Sequence, residues 1–309
     1  MKKLKGILSI FLVSLICLNC SVLAYERPLL EENIIESVSY SEYDVYKKLM
    51  STSDEVLADE GFSPEEIEEI RSFSLESAFL ERAQLDENSL KVLGYTDEQI
   101  RILKRYNGEP ITDSSEILRA ASSCTGELAV YSTSGTAMYY GYKWTWSSLP
   151  LKALGERVAL SWRGIDAGGY TINASATSKS GYVNYYSTLT GQLYDQPTLS
   201  VRAADIFDGC YADYEMIRYI SNASDGTTSV WAKEGILNVR IVPDGSTPFN
   251  LIKTYGAIGH QTSRVSIGFS VGGGSSASFG FSFTPTRSVS TEGIMSYSIY
   301  SDGRTQNNG

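Results

Sequence analysis

The sequence predicts an α+β chain in two parts, an acidic helical N-terminal region followed by an all-β, sandwich-like domain. Three observations carry this expectation. Charge changes at one place: residues 25–120 hold 23 acidic and 10 basic side chains, whereas residues 121–309 hold 13 of each. Helix start and stop signals concentrate in the acidic part. Short strand-like runs separated by glycine-rich turns fill the remainder.

Residues 1–24 have the features of a secretory signal peptide. Lys2, Lys3 and Lys5 form a basic start, Ile7 to Leu18 is an apolar stretch broken only by Ser9 and Ser14, and Val22-Leu23-Ala24 supplies the small-residue cleavage pattern. The stretch is shorter than the ~20 residues that a spanning helix needs. Cys17 and Cys20 follow Ile16 and Asn19, where a lipidation signal requires a small residue. Cleavage near Ala24 and export to the extracellular space are therefore expected. Two cysteines then remain, Cys124 and Cys210. An exported chain with two cysteines most simply joins them in a disulfide.

Residues 25–108 form the acidic helical region. Ser63-Pro64-Glu65-Glu66 places an N-cap serine before a first-turn proline, with glutamate three residues after the cap. Thr96-Asp97-Glu98-Gln99 repeats that logic, and Asn107-Gly108 closes the helix. Gly61-Phe62-Ser63-Pro64-Glu65-Glu66-Ile67 aligns with Gly94-Tyr95-Thr96-Asp97-Glu98-Gln99-Ile100, and Leu57 with Leu90. This is a weak repeat of one capping unit, too few copies for a solenoid. Residues 109–124, beginning with Glu109-Pro110 and ending with Ser122-Ser123-Cys124, are expected to be a linker.

Residues 125–309 form the β-rich domain. Strand-like runs lie at 127–132, 136–146, 156–163, 169–176, 182–187, 211–220, 236–242, 264–271, 277–284 and 294–300, with turns at Gly168-Gly169, Asp225-Gly226, Asp244-Gly245 and Gly272 to Ser276. That length is enough to bury one β-core.

Composition narrows the function. The formal net charge of −10 argues against nucleic acid as a partner. The one histidine, His260, lies in Gly256-Ala257-Ile258-Gly259-His260-Gln261-Thr262, which resembles a strand end or turn and carries no known catalytic signature. No metal motif and no cofactor motif is present. Asp205, Asp208, Asp213 and Glu215 surround Cys210 without a standard calcium-loop spacing. Five glutamates, Glu127, Glu156, Glu215, Glu234 and Glu292, occur in the β-rich part, and no two share a strand two residues apart. A carboxylate pair of the glycosidase kind has no sequence support.

Two patterns are more specific. Alternation from Thr136 to Trp146 puts Met138, Tyr140, Tyr142, Trp144 and Trp146 on one face. Exposed, Tyr140, Tyr142, Trp144 and Trp146 would stack on sugars or a protein; buried, they are the core face, which large aromatics favour. From Arg264 to Thr284, Val265, Ile267, Phe269, Val271, Phe279, Phe281 and Phe283 alternate with small polar residues across a glycine-rich turn. A membrane-inserting hairpin has this pattern, and so does an ordinary sandwich hairpin.

The stretch Leu93-Gly94-Tyr95-Thr96-Asp97-Glu98-Gln99-Ile100, the Tyr255 to Thr262 turn and the Ser/Gly/Phe hairpin resemble exported proteins of Gram-positive bacteria that combine a signal peptide, an acidic helical segment and a β-rich tail. The resemblance implies no activity and transfers no functional residue. The expectation is a secreted, non-catalytic binding or cell-surface interaction module, its partner a surface glycan, a protein or a membrane. The alternative is a membrane-active, pore-forming type of protein that inserts the 264–284 hairpin.

Overall fold

Antiparallel pairing dominates the chain. The computed structural model describes residues 34–59, 62–153, 155–205, 209–222, 226–261, 269–270, 284–285 and 289–308. The signal-peptide reading of residues 1–24 lies outside them. The strands are β1 (Ile34–Ser41), β2 (Ser123–Thr133), β3 (Met138–Trp146), β4 (Gly155–Ile165), β5 (Thr171–Ile172), β6 (Ala174–Ser187), β7 (Leu193–Asp195) and β8 (Arg202–Asp205). They continue with β9 (Gly209–Glu215), β10 (Ile217–Asn222), β11 (Gly226–Pro243), β12 (Leu251–Gln261), β13 (Phe269–Ser270), β14 (Thr284–Pro285), β15 (Val289–Tyr300) and β16 (Thr305–Asn307). One sheet runs β1-β2-β3-β11-β6-β7, with β10 also on β11; the other runs β16-β15-β12-β4-β9-β8, with β5 on β4.

The two sheets share an apolar core. Met138, Tyr140, Tyr142, Trp144 and Trp146 of β3 face Val158, Leu160 and Trp162 of β4 and Cys210 and Ala212 of β9, all buried. Contacts cross between sheets: the Trp144 ring stacks on Tyr214 at 5.2 Å, and the Tyr140 hydroxyl donates to the Ser161 carbonyl at 3.2 Å. Glycines make room for the large rings. A Cβ at Gly256 would overlap the Tyr142 ring, and one at Gly235 would overlap Trp144.

The helical segments are short and amphipathic: α1 (Glu42–Ser51), α2 (Asp54–Asp59), α3 (Pro64–Ser72), α4 (Leu75–Gln84), α5 (Glu87–Val92) and α6 (Asp97–Arg105). Each repeat copy carries a full capping box: Ser63 with Glu66 starts α3, and Thr96 with Gln99 starts α6. After α5 the chain reverses in a Schellman turn. Gly94 adopts φ +92°, Gly94 N–H donates to Lys91 O, and Tyr95 N–H donates to Leu90 O. In the first copy Phe62 N–H donates to Leu57 O in the same way. Leu57, Phe62, Ile67 and Ile70 of that copy join Val45 and Leu49 in a small separate core. Leu90, Tyr95, Ile100 and Leu103 of the second copy enter the main core with the strands.

The described residues from Ile34 onward form one compact unit. The stretch 109–124 contributes a 3-10 helix, Glu116–Ala120, whose Ile117 and Ala120 are buried, and then enters β2. β1, which precedes the helices, pairs with β2 from Ser41 opposite Ser123 to Ile34 opposite Ala129. The buried Glu42 carboxylate fastens the start of α1 by accepting from Ser122 N–H at 2.7 Å and Leu151 N–H at 2.7 Å. Tyr95 OH donates to Leu149 O, and Leu149 N–H donates to Leu93 O. No helix among the described residues is long and apolar enough to cross a membrane.

Candidate functional site

The aromatic row of β3 is no binding surface. Tyr140, Tyr142, Trp144 and Trp146 are each 0% exposed and form the core face of the first sheet. Burying four large rings between two sheets is worth far more than presenting them to water.

The expected disulfide is also absent. Cys124 and Cys210 are free, buried thiols. Cys124 sits on β2 opposite Trp146 in one sheet, and Cys210 sits on β9 opposite Leu160 in the other. Burial pushes the Cys124 thiol well above its ordinary range, with Glu156 adding to the effect, and burial pushes Cys210 up to about 12. Neither thiol has the lowered pKa or the access that a nucleophile requires.

His260 lies within β12, and its backbone pairs with Glu156 of β4 and Ser290 of β15. Glu156 is fully buried among Cys124, Tyr40 and Tyr214, whose ionisation its charge opposes. Asp213, one of the acidic residues around Cys210, is held by Arg157: its Oδ1 takes Arg157 Nε and its Oδ2 takes Arg157 Nη2 at 2.8 Å. Arg157 in turn lies 4.3 Å from the Tyr211 ring centre. The hairpin residues Val265, Ile267, Val271, Phe279, Phe281 and Phe283 fall outside the described residues; the Phe269 backbone pairs with Pro285.

A different surface gathers chemistry. Alternation sends Tyr139, Gly141, Lys143 and Thr145 of β3 to the outer face of the first sheet, opposite to the buried row. Pairing aligns them with neighbours from three other strands. Lys143 stands between Glu127 of β2 and Ile236 of β11, and Ile236 stands beside Tyr182 of β6. Thr145 stands beside Glu234, and Glu234 beside Asn184. Gly141 stands beside Asn238.

The polar side chains on this face hold one another in place. Tyr186 OH donates to Glu234 Oε1 at 2.9 Å, and Asn184 Nδ2 donates to the same oxygen at 2.8 Å. Gln196 Nε2 donates to Asn184 Oδ1 at 2.6 Å. Burial and the Glu234 carboxylate together push the Tyr186 phenol up to about 12. Lys143 and Glu127 form an ion pair at 3.2 Å. Further along the strands, Tyr131 and Tyr139 pair at 4.5 Å between ring centres. Tyr131 OH donates to Asn238 Oδ1 at 3.0 Å, and Gly141 beneath leaves room for both. Asn238 is buried, whereas the other side chains are half-buried or, for Gln196, exposed, and so are both fixed and reachable. Such an array suits recognition of a ligand rich in hydrogen-bonding groups.

The face was only partly visible in the sequence. The alternation of β3 marks Tyr139, Lys143 and Thr145 as the side opposite the aromatic row. Nothing local joins them to Asn184 or Glu234, because β6 and β11 are brought alongside only by folding.

No family model matches the chain, and no curated protein matches it. Among the solved structures with limited similarity are the following two. One is described as AvmM, which catalyses macrocyclization in alchivemycin A biosynthesis: TM-score 0.28, 9% identity, covering 60% of this chain and 88% of that one. The other comes from work on pH-induced modulation of Streptococcus parasanguinis adhesion by Fap1 fimbriae: TM-score 0.24, 13% identity, covering 58% and 79%. At these TM-scores neither likeness bears on what this chain does.

Proposed function

We propose that the protein is an exported, non-catalytic binding module that attaches to a surface outside the cell through the outer face of the β1-β2-β3-β11-β6-β7 sheet. Residues 1–24 direct export and are removed near Ala24. A β-sandwich supplies a rigid frame, and the acidic helical region closes against it. The observation that carries this reading is the network of Tyr186, Asn184, Glu234 and Gln196, with Tyr131, Tyr139, Lys143 and Glu127 on the same face. Fixed polar and aromatic side chains on rigid strands are preorganised for a ligand and lose little entropy on binding. The buried thiols and the lone histidine leave chemistry little to use, which favours binding over catalysis.

The test is attachment of the purified chain to intact bacterial cells, measured by sedimentation. The double variant Tyr139→Ala/Asn184→Ala is expected to lose attachment by about tenfold or more while keeping its circular dichroism spectrum and melting temperature. Attachment equal to that of the unaltered chain would remove this face as the binding surface.

A further inference from the structure

We infer that the ligand of this face is a glycan chain of several sugars lying along the strands, an inference that rests on reading the face as the binding surface. The chemistry of the two ends carries it. At one end, the Tyr131 and Tyr139 rings, 34° apart in tilt, form an aromatic step. Sugar rings present C–H faces that pack on such steps. At the other end, Glu234 holds Asn184 and Tyr186, so that a carboxylate, an amide and a phenol stand side by side. Neighbouring sugar hydroxyls each donate and accept, and they need acceptors and donors side by side. Carboxylate and amide groups together supply both.

Length follows from register. Tyr139 stands opposite Arg240, and Thr145 stands opposite Glu234. Six residues along a strand separate the two ends by about 20 Å. A single sugar does not bridge that distance, whereas an oligosaccharide does, passing the Lys143–Glu127 pair on the way.

Competing ligand classes fit less well. Charges of both signs alternate on the face, Glu127 and Glu234 against Lys143 and Arg240, so it offers no field for a polyanion. Between the two ends the aliphatic Ile236 is only 3% exposed, so the path along the strands offers no protruding apolar anchor to a protein or a lipid surface; the exposed Leu193 stands at its β7 edge, opposite Tyr186.

The experiment is co-sedimentation of the full chain with purified peptidoglycan, chitin and cellulose, beside attachment to intact and protease-treated cells. Retention on at least one polysaccharide is expected. Tyr139→Ala and Asn184→Ala should each weaken it by about three- to tenfold, and Tyr139→Phe should preserve it because the ring remains. Lack of retention on every polysaccharide overturns the glycan inference. If cell attachment is then lost both after protease treatment and in the face variants, the ligand is a protein and the binding face still stands. If attachment is unchanged in the face variants, the binding face itself is overturned.

Discussion

A methyl group added at Gly256 has nowhere to go, because its place is taken by the Tyr142 ring reaching across from the other sheet. Tyr142 is fully buried within the main core. Gly256→Ala is expected to lower stability by about 1–3 kcal/mol, the usual cost of overpacking a core. Gly245→Ala, with nothing near its Cβ, should stay within about 0.5 kcal/mol. Urea unfolding of the two variants compares them directly. The thiols give a second prediction at this scale. Cys124 and Cys210 are buried and unpaired in different sheets, so reductant should leave the melting temperature unchanged. A thiol reagent should modify both only at the rate of unfolding. Rapid labelling of the native protein would show that a thiol is accessible after all.

Among the elements, the two capping boxes share their chemistry but differ in what their helices support. Removing either cap hydroxyl costs about 0.5–2 kcal/mol. Helix α6 places Ile100, Ile102 and Leu103 in the core shared with the strands, so Thr96→Ala should shift the global unfolding midpoint. Helix α3 places Ile67 and Ile70 in the small separate core, so Ser63→Ala should chiefly speed amide exchange over 64–72. Exchange mass spectrometry distinguishes these outcomes. Both caps were legible in the sequence because capping is local: four consecutive residues state it. The same holds for β3, whose alternation announces a face. β12 was missed for a non-local reason. Gly256, Ala257 and Gly259 read as a strand end or turn, yet the small residue at Gly256 is demanded by Tyr142 on the opposite sheet. β1 was missed likewise, since it is a strand inside an acidic helical context and only its pairing with β2 makes it one.

For the whole molecule, the core's many buried phenols and thiols set the response to alkali. Burial holds Tyr40, Tyr46, Tyr140, Tyr142 and Tyr214 well above the ordinary 10.0, and Cys124 well above 9.0. Burial likewise pushes Tyr95 up to about 12. The unfolded chain therefore releases these protons before the folded one does. Their contribution to stability is complete below pH 9 and falls as pH rises through the unfolded values, by about 1.4 kcal/mol per group per pH unit. Stability measured by chemical denaturation should be insensitive to these groups near neutrality and drop steeply above pH 9 to 10; a flat profile to pH 11 would contradict the buried-phenol core. The binding face belongs to this scale as well. Tyr139, Asn184 and Glu234 come from three strands far apart in the chain, so the sequence showed the residues without showing the site. The measurement that tests the central claim most directly compares the two outer faces of the molecule. Cell attachment is titrated for the unaltered chain, for Tyr139→Ala on the first sheet and for Lys253→Ala on β12 of the second. Loss in Tyr139→Ala with Lys253→Ala unchanged is the predicted result. Loss in Lys253→Ala with Tyr139→Ala unchanged would place the binding surface on the opposite sheet and contradict it.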